Sequence, residues 1–412
     1  MAERISVIAL YGLMVGMLIT GSLNTIFLKL QNVQKYYNKD KEKHMKFNHP
    51  FIQTLFMFIG EFMCMGAYFY VYYKDKKTYG DINLSPQAIE AKKKGLRTDI
   101  NVILLAIPAC FDVCGSTLMF VALTLISASV YQMMRGLIVL FATLMSIIFL
   151  KRSYFRHHWT ALWLVVGGVA LVGASPIIYS KDGDSSDDDK GAGNAAIGVV
   201  LIIVSQIFMG GVIISEEKLL NIYYLHPLKI VGWEGFWGCF IYVILLIILQ
   251  FIPCNDDDIC PYGSVEDTPQ AFYEFGQNNW IWVFAVGTSL SVAFFHALGV
   301  AVTKYASAVQ RSTIDTCRTL IIWIFFISFK GPGHERFIWL ELVGFVMLVF
   351  GTFVFNEILI IPFCGFNQYT KQAIARREAE DDSDKTDDKI DDEKRSLLAK
   401  NKKDPNKINL SE

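Results

Sequence analysis

Ten runs of about twenty mostly apolar residues recur along this chain, and a run of that length is what an α-helix needs to cross a bilayer. They fall near 5–28, 50–73, 99–123, 127–150, 159–179, 194–217, 229–252, 279–303, 307–329 and 337–361. Composition agrees. Of the 412 residues 53% are hydrophobic and 19% charged, below the ~25% charge of soluble domains. The charges gather between the runs and in the last 45 residues. The first run is too long for the apolar core of a secretory signal, has no small-residue cleavage pattern after it and ends at Lys29, so it is read as a span. The expected fold class is an all-α polytopic membrane protein with ten transmembrane helices.

An acidic Gly/Ser/Asp linker near 180–193 divides the spans five and five, and the halves echo each other. VALTLISAS at Val121–Ser129 matches VAVTKYASA at Val300–Ala308. His49-Pro50 before span two answers His226-Pro227 before span seven, and Arg135 answers Arg318. A five-helix unit crosses the membrane an odd number of times, so its copy sits upside down. That is the inverted-repeat plan of secondary carriers, whose sites lie at mid-membrane between the repeats. The expected organisation is a five-helix repeat at 1–180, a linker at 181–193, a second repeat at 194–365 and a disordered charged cytosolic tail at 366–412.

Lys and Arg are slightly richer in the loops that face the cytosol when both termini are cytosolic. That orientation puts Cys254 and Cys260 in the lumen, where a disulfide between them can form. Cys64, Cys110, Cys114, Cys239 and Cys317 fall in apolar runs and are expected in the core, with no metal set around the Cys110/Cys114 pair. In the tail, Glu393 with Leu397 and Leu398 forms an acidic dileucine pattern that sorting adaptors read.

Charges inside the spans are the informative exceptions, because each costs ~2.5–3.5 kcal/mol at a helix centre and so faces protein, water or ligand. Gln132 and Arg135 lie in span four, Asp315 and Arg318 in span nine. Guanidinium offers paired donors to phosphate or carboxylate, so two arginines approaching the midplane make an anion clamp. The competing reading is internal neutralisation: Asp315 is one helical turn from Arg318, and Asp112 or Glu61 can meet Arg135. Glu61, Asp112 and Glu234 are candidates for carrying a coupling proton, and His296 for titrating or contacting substrate. No Gly-rich phosphate loop, H-E-x-x-H or G-x-S-x-G motif is present, which argues against an ATP-driven pump and against an enzyme. No cofactor or metal is implied.

Four stretches carry a family resemblance: FNHPFIQTLFMFIGEFMC (47–64), PACFDVCGSTLMFVALTLISASVYQMMRG (108–136), SEEKLLNIYYLHPLKIVGWEGFWG (215–238) and FFHALGVAVTKYASAVQRSTIDTCRT (294–319). With the five-plus-five plan they resemble the drug/metabolite transporter superfamily with its EamA-type repeat, and within it solute carrier family 35, subfamily F. The resemblance implies an endomembrane carrier, lysosomal in its nearest kin, related to nucleotide-sugar exchangers and to vacuolar exporters of drugs and peptides. It leaves the substrate open, and His296 stands where many relatives have Asn.

The expected function is secondary transport of a small organic solute, anionic or nucleotide-like, by alternating access, with Arg135, Gln132, Arg318, Glu61, Asp112 and His296 as substrate-site candidates. Two alternatives stay open: proton-coupled export of cationic metabolites or peptides from an acidic vacuole, and a non-transporting scaffold acting through its tail. The partners implied are the solute, the bilayer and adaptor complexes at the tail, with a homodimer open and no nucleic acid.

Overall fold

The computed structural model describes residues 6–38, 43–81, 85–93, 95–97, 100–179, 188–254, 263–305, 308–329, 335, 337–360, 370, 373–374 and 376–377. The linker, Cys260 and the tail signal lie outside them. Two compact units are present, Met1–Ser153 with Leu162–Thr352 and Tyr154–Ala161 with Phe353–Glu412.

Helices dominate the described residues. In order they are α1 (Val7–Asn32), α2 (Pro50–Tyr79), the short α3 (Pro86–Lys93), α4 (Ala106–Leu125), α5 (Ala128–Met134), α6 (Ile138–Leu150), α7 (Arg156–Tyr179), α8 (Asp188–Ile222), α9 (Pro227–Gln250), α10 (Thr268–Gln277), α11 (Asn279–Tyr305), α12 (Ala308–Ser328) and α13 (Trp339–Phe355). Among the described residues eight stretches are long and apolar enough to span a membrane: α1, α2, α4 with its 3-10 lead-in, α5 through α6, α7, α8, α9 and α11. Cys317–Ser328 of α12 and Trp339–Phe355 are apolar but shorter. The first half of α12 reads AVQRSTIDTCR, too polar to lengthen its apolar run. Ile8, Trp163, Tyr70 and Trp339 are among many large apolar side chains left exposed on outer faces, as lipid contact requires. The protein is integral to the membrane.

Helix ends follow local chemistry. Pro50 opens α2, where its missing N–H and preset φ cost nothing. Gly80 closes α2 at φ 75°, a backbone setting that favours glycine. Ser127 caps α5, its hydroxyl accepting the Val130 N–H at 3.3 Å. The two-residue turn at Ile126–Ser127 makes the tight α4–α5 connection that a three-residue gap predicts.

Two features depart from the all-α expectation of unbroken spans. The loop after α1 folds into a hairpin of β1 (Lys35–Asn38) and β2 (Lys43–Lys46), antiparallel with Lys35 opposite Lys46. The run 127–150 is interrupted by a 3-10 turn at Arg135–Leu137. Gly136 lies at its centre against α13, where a Cβ would stand 2.7 Å from Leu348 Cδ1. A residue of low helix propensity in such a tight place favours the narrower winding.

Inside the larger unit α1 packs on α11 and α12, α8 on α4 and α6, α2 on α9 and α11, and α4 on α9. Contact is also close between α7 and α13: a Cβ on Gly168 would lie 2.6 Å from the Gly344 carbonyl oxygen, and one on Gly344 2.7 Å from that of Gly168. The cysteine expectation needs correcting. Cys64 is buried and Cys239 half-buried, but Cys110, Cys114 and Cys317 are exposed on helix faces, since a membrane helix buries only the stripe it turns to its neighbours.

Candidate functional site

Gln132 and Arg135 are three residues apart, on the last turn of α5 and at the start of the 3-10 turn, so both project to one side. Arg318 reaches them from α12. It is 3% exposed, its guanidinium carbon lies 4.8 Å from the centre of the Phe295 ring, and Gly21 of α1 makes room for it, a Cβ there standing 2.8 Å from its Nη1. Gln132 separates the two guanidiniums. With its oxygen toward Arg318 it accepts from Nη2 and Nε, each at 3.0 Å. With the amide reversed, the same oxygen accepts from Thr25 Oγ1 at 3.4 Å and Arg135 Nη1 at 3.5 Å. One amide oxygen serves one side, and the shorter pair is the better bond. Gln132 is therefore engaged by Arg318, and the half-buried Arg135 turns to the space beside it.

That space is a cavity of ≈ 120 Å³ between α5–α6, α8, α12 and α13, lined by Gln132, Arg135 and Arg318 together with Gln206, Thr319 and Thr352 on its polar side. Sequence reasoning brought forward the first three. It passed over Gln206, although a glutamine in the middle of the apolar α8 run carries the same signal as Gln132. Thr319 and Thr352 gave no such signal, because threonine satisfies itself inside a helix, as Thr352 does by donating to Leu348 O at 2.8 Å.

Glu61, Asp112 and His296 stand apart from that lining. Glu61 of α2, Asp112 of α4 and Glu234 of α9 are all buried and, with Glu216 of α8, repel one another. His296 Nδ1 of α11 is 3.8 Å from Glu61 Oε1. Ser116 donates to Asp112 Oδ1 at 2.5 Å, and Asp112 also attracts Arg135, which links the acid cluster to the arginine cavity. The side chain of Asp315, the expected partner of Arg318, lies outside the described residues.

Two charged clasps at helix ends and loops went unforeseen. Glu335, between α12 and α13, accepts from the Ala128 N–H at 2.7 Å, the Ser129 N–H at 3.3 Å and the Ser129 hydroxyl. Lys29 holds the other side of the same turn, donating to Ile126 O at 2.6 Å and Leu123 O at 3.0 Å. Burial raises the Glu335 carboxyl above its usual range, against the pull of Ser129 and Lys29. The second clasp is buried His49, whose Nδ1 meets Glu266 and whose Nε2 lies 3.2 Å from Glu274 Oε1. Burial opposes a charge on that imidazole, but the two carboxylates prevail and push it up to about 10. Nearby, Cys254 is disulfide-bonded; Cys260, its expected partner, lies outside the described residues.

Comparison with known proteins identifies the chain's relatives. The nucleotide-sugar transporter family model matches residues 13–222. The chain is 34% identical over 340 residues to human solute carrier family 35 member F6, across 82% of this chain and 86% of that one. An uncharacterized protein of Schizosaccharomyces pombe is 32% identical over 346 residues, 84% of this chain and 97% of its own. The UDP-galactose transporter of the same yeast is 24% identical over 259 residues, 61% and 64% of the two chains. Membrane-spanning helices, a polar cavity among them and these relatives agree: the chain belongs to the nucleotide-sugar transporter family, in solute carrier family 35, subfamily F, and is a membrane solute transporter.

Proposed function

We propose that the protein is a secondary transporter moving a small organic anion by alternating access, with Arg135 and Arg318 as the anion clamp and Gln132 as the spacer between them. The carrying observation is that both intramembrane arginines border one cavity while Gln132 engages only Arg318. Phosphate is one of the anions that guanidinium holds through paired donors, which fits a nucleotide-like solute such as those in the names of the UDP-sugar relatives. At ≈ 120 Å³ the cavity is below the 300–1,000 Å³ of sites for drug-sized ligands, so admitting such a solute requires the helices around it to part.

The ten-span, five-plus-five reading belongs to this proposal. Exchanging each span for its counterpart five further on turns the α4–α8 contact into α11–α1, α4–α9 into α11–α2, and α6–α8 into α12–α1. Each member of those pairs is present, and the α2–α9 and α5–α12 contacts map onto themselves, which supports two inverted repeats. The disulfide-bonded Cys254 supports a non-cytosolic α9–α10 loop, hence cytosolic termini; a membrane of lysosomal or vacuolar type is part of the same proposal.

Counterflow into vesicles reconstituted with the purified protein tests the clamp, using labelled nucleoside monophosphates and UDP-sugars. Uptake by the wild type, lost in a folded Arg135→Gln variant, is the expected result. A carried solute that Arg135→Gln moves equally well overturns it.

The acid cluster of Glu61, Asp112, Glu216 and Glu234 favours a second reading, proton-coupled export of a cationic metabolite or peptide. Its test is uptake under an imposed pH gradient, where indifference to the gradient sinks it. A scaffold reading calls for arginines fully paired off around a dry interface, and the polar cavity argues against it.

A further inference from the structure

His157 and His158 open α7, and Glu357 lies just beyond α13; all three belong to the smaller unit. One ligand atom from each falls within 4.8 Å of the others. Nε2 of His157 is 3.4 Å and Nε2 of His158 3.5 Å from the same Glu357 Oε1. As hydrogen bonds these are long, well beyond the ~2.9–3.0 Å mode of N–H···O bonds. As the edges of a metal polyhedron they are the right length. Ligands 2.0–2.1 Å from a tetrahedral zinc ion sit roughly 3.3–3.4 Å from one another.

The surroundings hold the set in place. His157 and His158 have side chains 4% and 10% exposed and Glu357 11%, so no ligand is a mobile surface group. The two imidazoles lie with centres 3.9 Å apart, and Tyr154 and Phe355 flank His158 edge-on at 5.3 and 5.4 Å.

A second observation concerns the carboxylate. Glu357 has φ 57°, the left-handed setting that ends helices and normally falls to Gly or Asn. The capping bonds of such an end are present, Glu357 N–H to Val354 O at 3.1 Å and Ile358 N–H to Phe353 O at 2.9 Å. The backbone at this point suits a residue without a side chain, yet the side chain present is the one that reaches both histidines.

We propose that His157, His158 and Glu357 bind a zinc ion, leaving its fourth position to water. Two imidazole nitrogens and one carboxylate oxygen are a zinc donor set, whereas magnesium and calcium call for oxygen throughout. The ion would staple the turn just beyond α13 to the first turn of α7. Neither the anion clamp nor the transport reading enters this argument.

The test uses full-length protein in detergent, purified through a histidine-free tag, stripped with a chelator and dialysed against zinc. One zinc per chain by elemental analysis, a higher melting temperature with zinc, and the visible d–d bands of tetrahedral coordination on cobalt substitution are expected. His157→Ala and Glu357→Gln should weaken binding by more than the roughly 10–100-fold that losing an outer-sphere partner costs. His44→Ala on β2 should leave it unchanged. Wild-type protein that takes up no zinc from micromolar solution, or a Glu357→Gln variant with normal melting and full zinc affinity, overturns the assignment. The wild-type measurement decides even where the variants fail to fold.

Discussion

Gln132 and Arg318 are joined across α5 and α12 by an amide oxygen 3.0 Å from both Nη2 and Nε of the guanidinium. Engaged in this way, Gln132 has no oxygen left for Arg135. The pair of arginines is therefore unequal, one held by the protein and one facing the cavity.

Arg135→Gln removes the charge that faces the cavity. Losing a charge-assisted hydrogen bond to an anion costs ~1.5–3 kcal/mol, or about 10- to 150-fold in apparent affinity. The expected outcome is a rise in KM for counterflow of the carried anion with little change in melting temperature.

Gln132→Glu puts a carboxylate where the amide now lies between two guanidiniums. It imitates a bound anion, so it should abolish uptake while leaving the protein as stable as the wild type or more so. Vesicle flux and a thermal-shift assay on the same preparation read both effects, and an active variant contradicts the clamp.

His49 and Glu335 give a pH dependence of one sign. Folding lifts His49 to about 10, so its contribution is complete below ~6.5 and fades as pH rises toward 10. Folding also raises the Glu335 carboxyl, so the native state holds that proton better than the unfolded chain and gains at low pH. Melting temperature in detergent should fall by a few degrees between pH 5 and pH 9, and His49→Gln should flatten the alkaline part of that slope.

Gly168→Ala drives a methyl group to 2.6 Å from the Gly344 carbonyl oxygen, a backbone atom that moves only with its helix. Overpacking of this kind costs ~1–3 kcal/mol, and the melting temperature should drop. Gly12→Ala is the control, because a Cβ there meets nothing within 4 Å.

Residues whose chemistry conflicts with their solvent were legible in the sequence. Arg135, Arg318 and Gln132 stood out because a polar group in a lipid-length run needs an explanation, and the structure gathers all three at one cavity. Gln206 carried the same signal more quietly. Glu335 carried none: it lies in a loop, where a glutamate is ordinary, and only tertiary folding buries it against α5. Glu357 falls inside the tenth apolar run, 337–361, and so carried the signal but was passed over, and folding brings it to His157. The β-hairpin escaped because Lys35–Asn38 and Lys43–Lys46 show neither β-branched residues nor a clean apolar alternation. The break at Gly136 was hidden in the opposite way, since a lone glycine inside twenty apolar residues is common in membrane helices.

That break has a mechanical consequence. Rewinding the three residues Arg135–Leu137 from 3.0 to 3.6 residues per turn would rotate α5 about 60° against α6 and draw it in by about 1.5 Å. Gln132 would swing off Arg318 with no rigid-body tilt of the long helices. The charge of Arg135 thus stands at a screw joint, and the joint couples the winding of three residues to which arginine the glutamine serves.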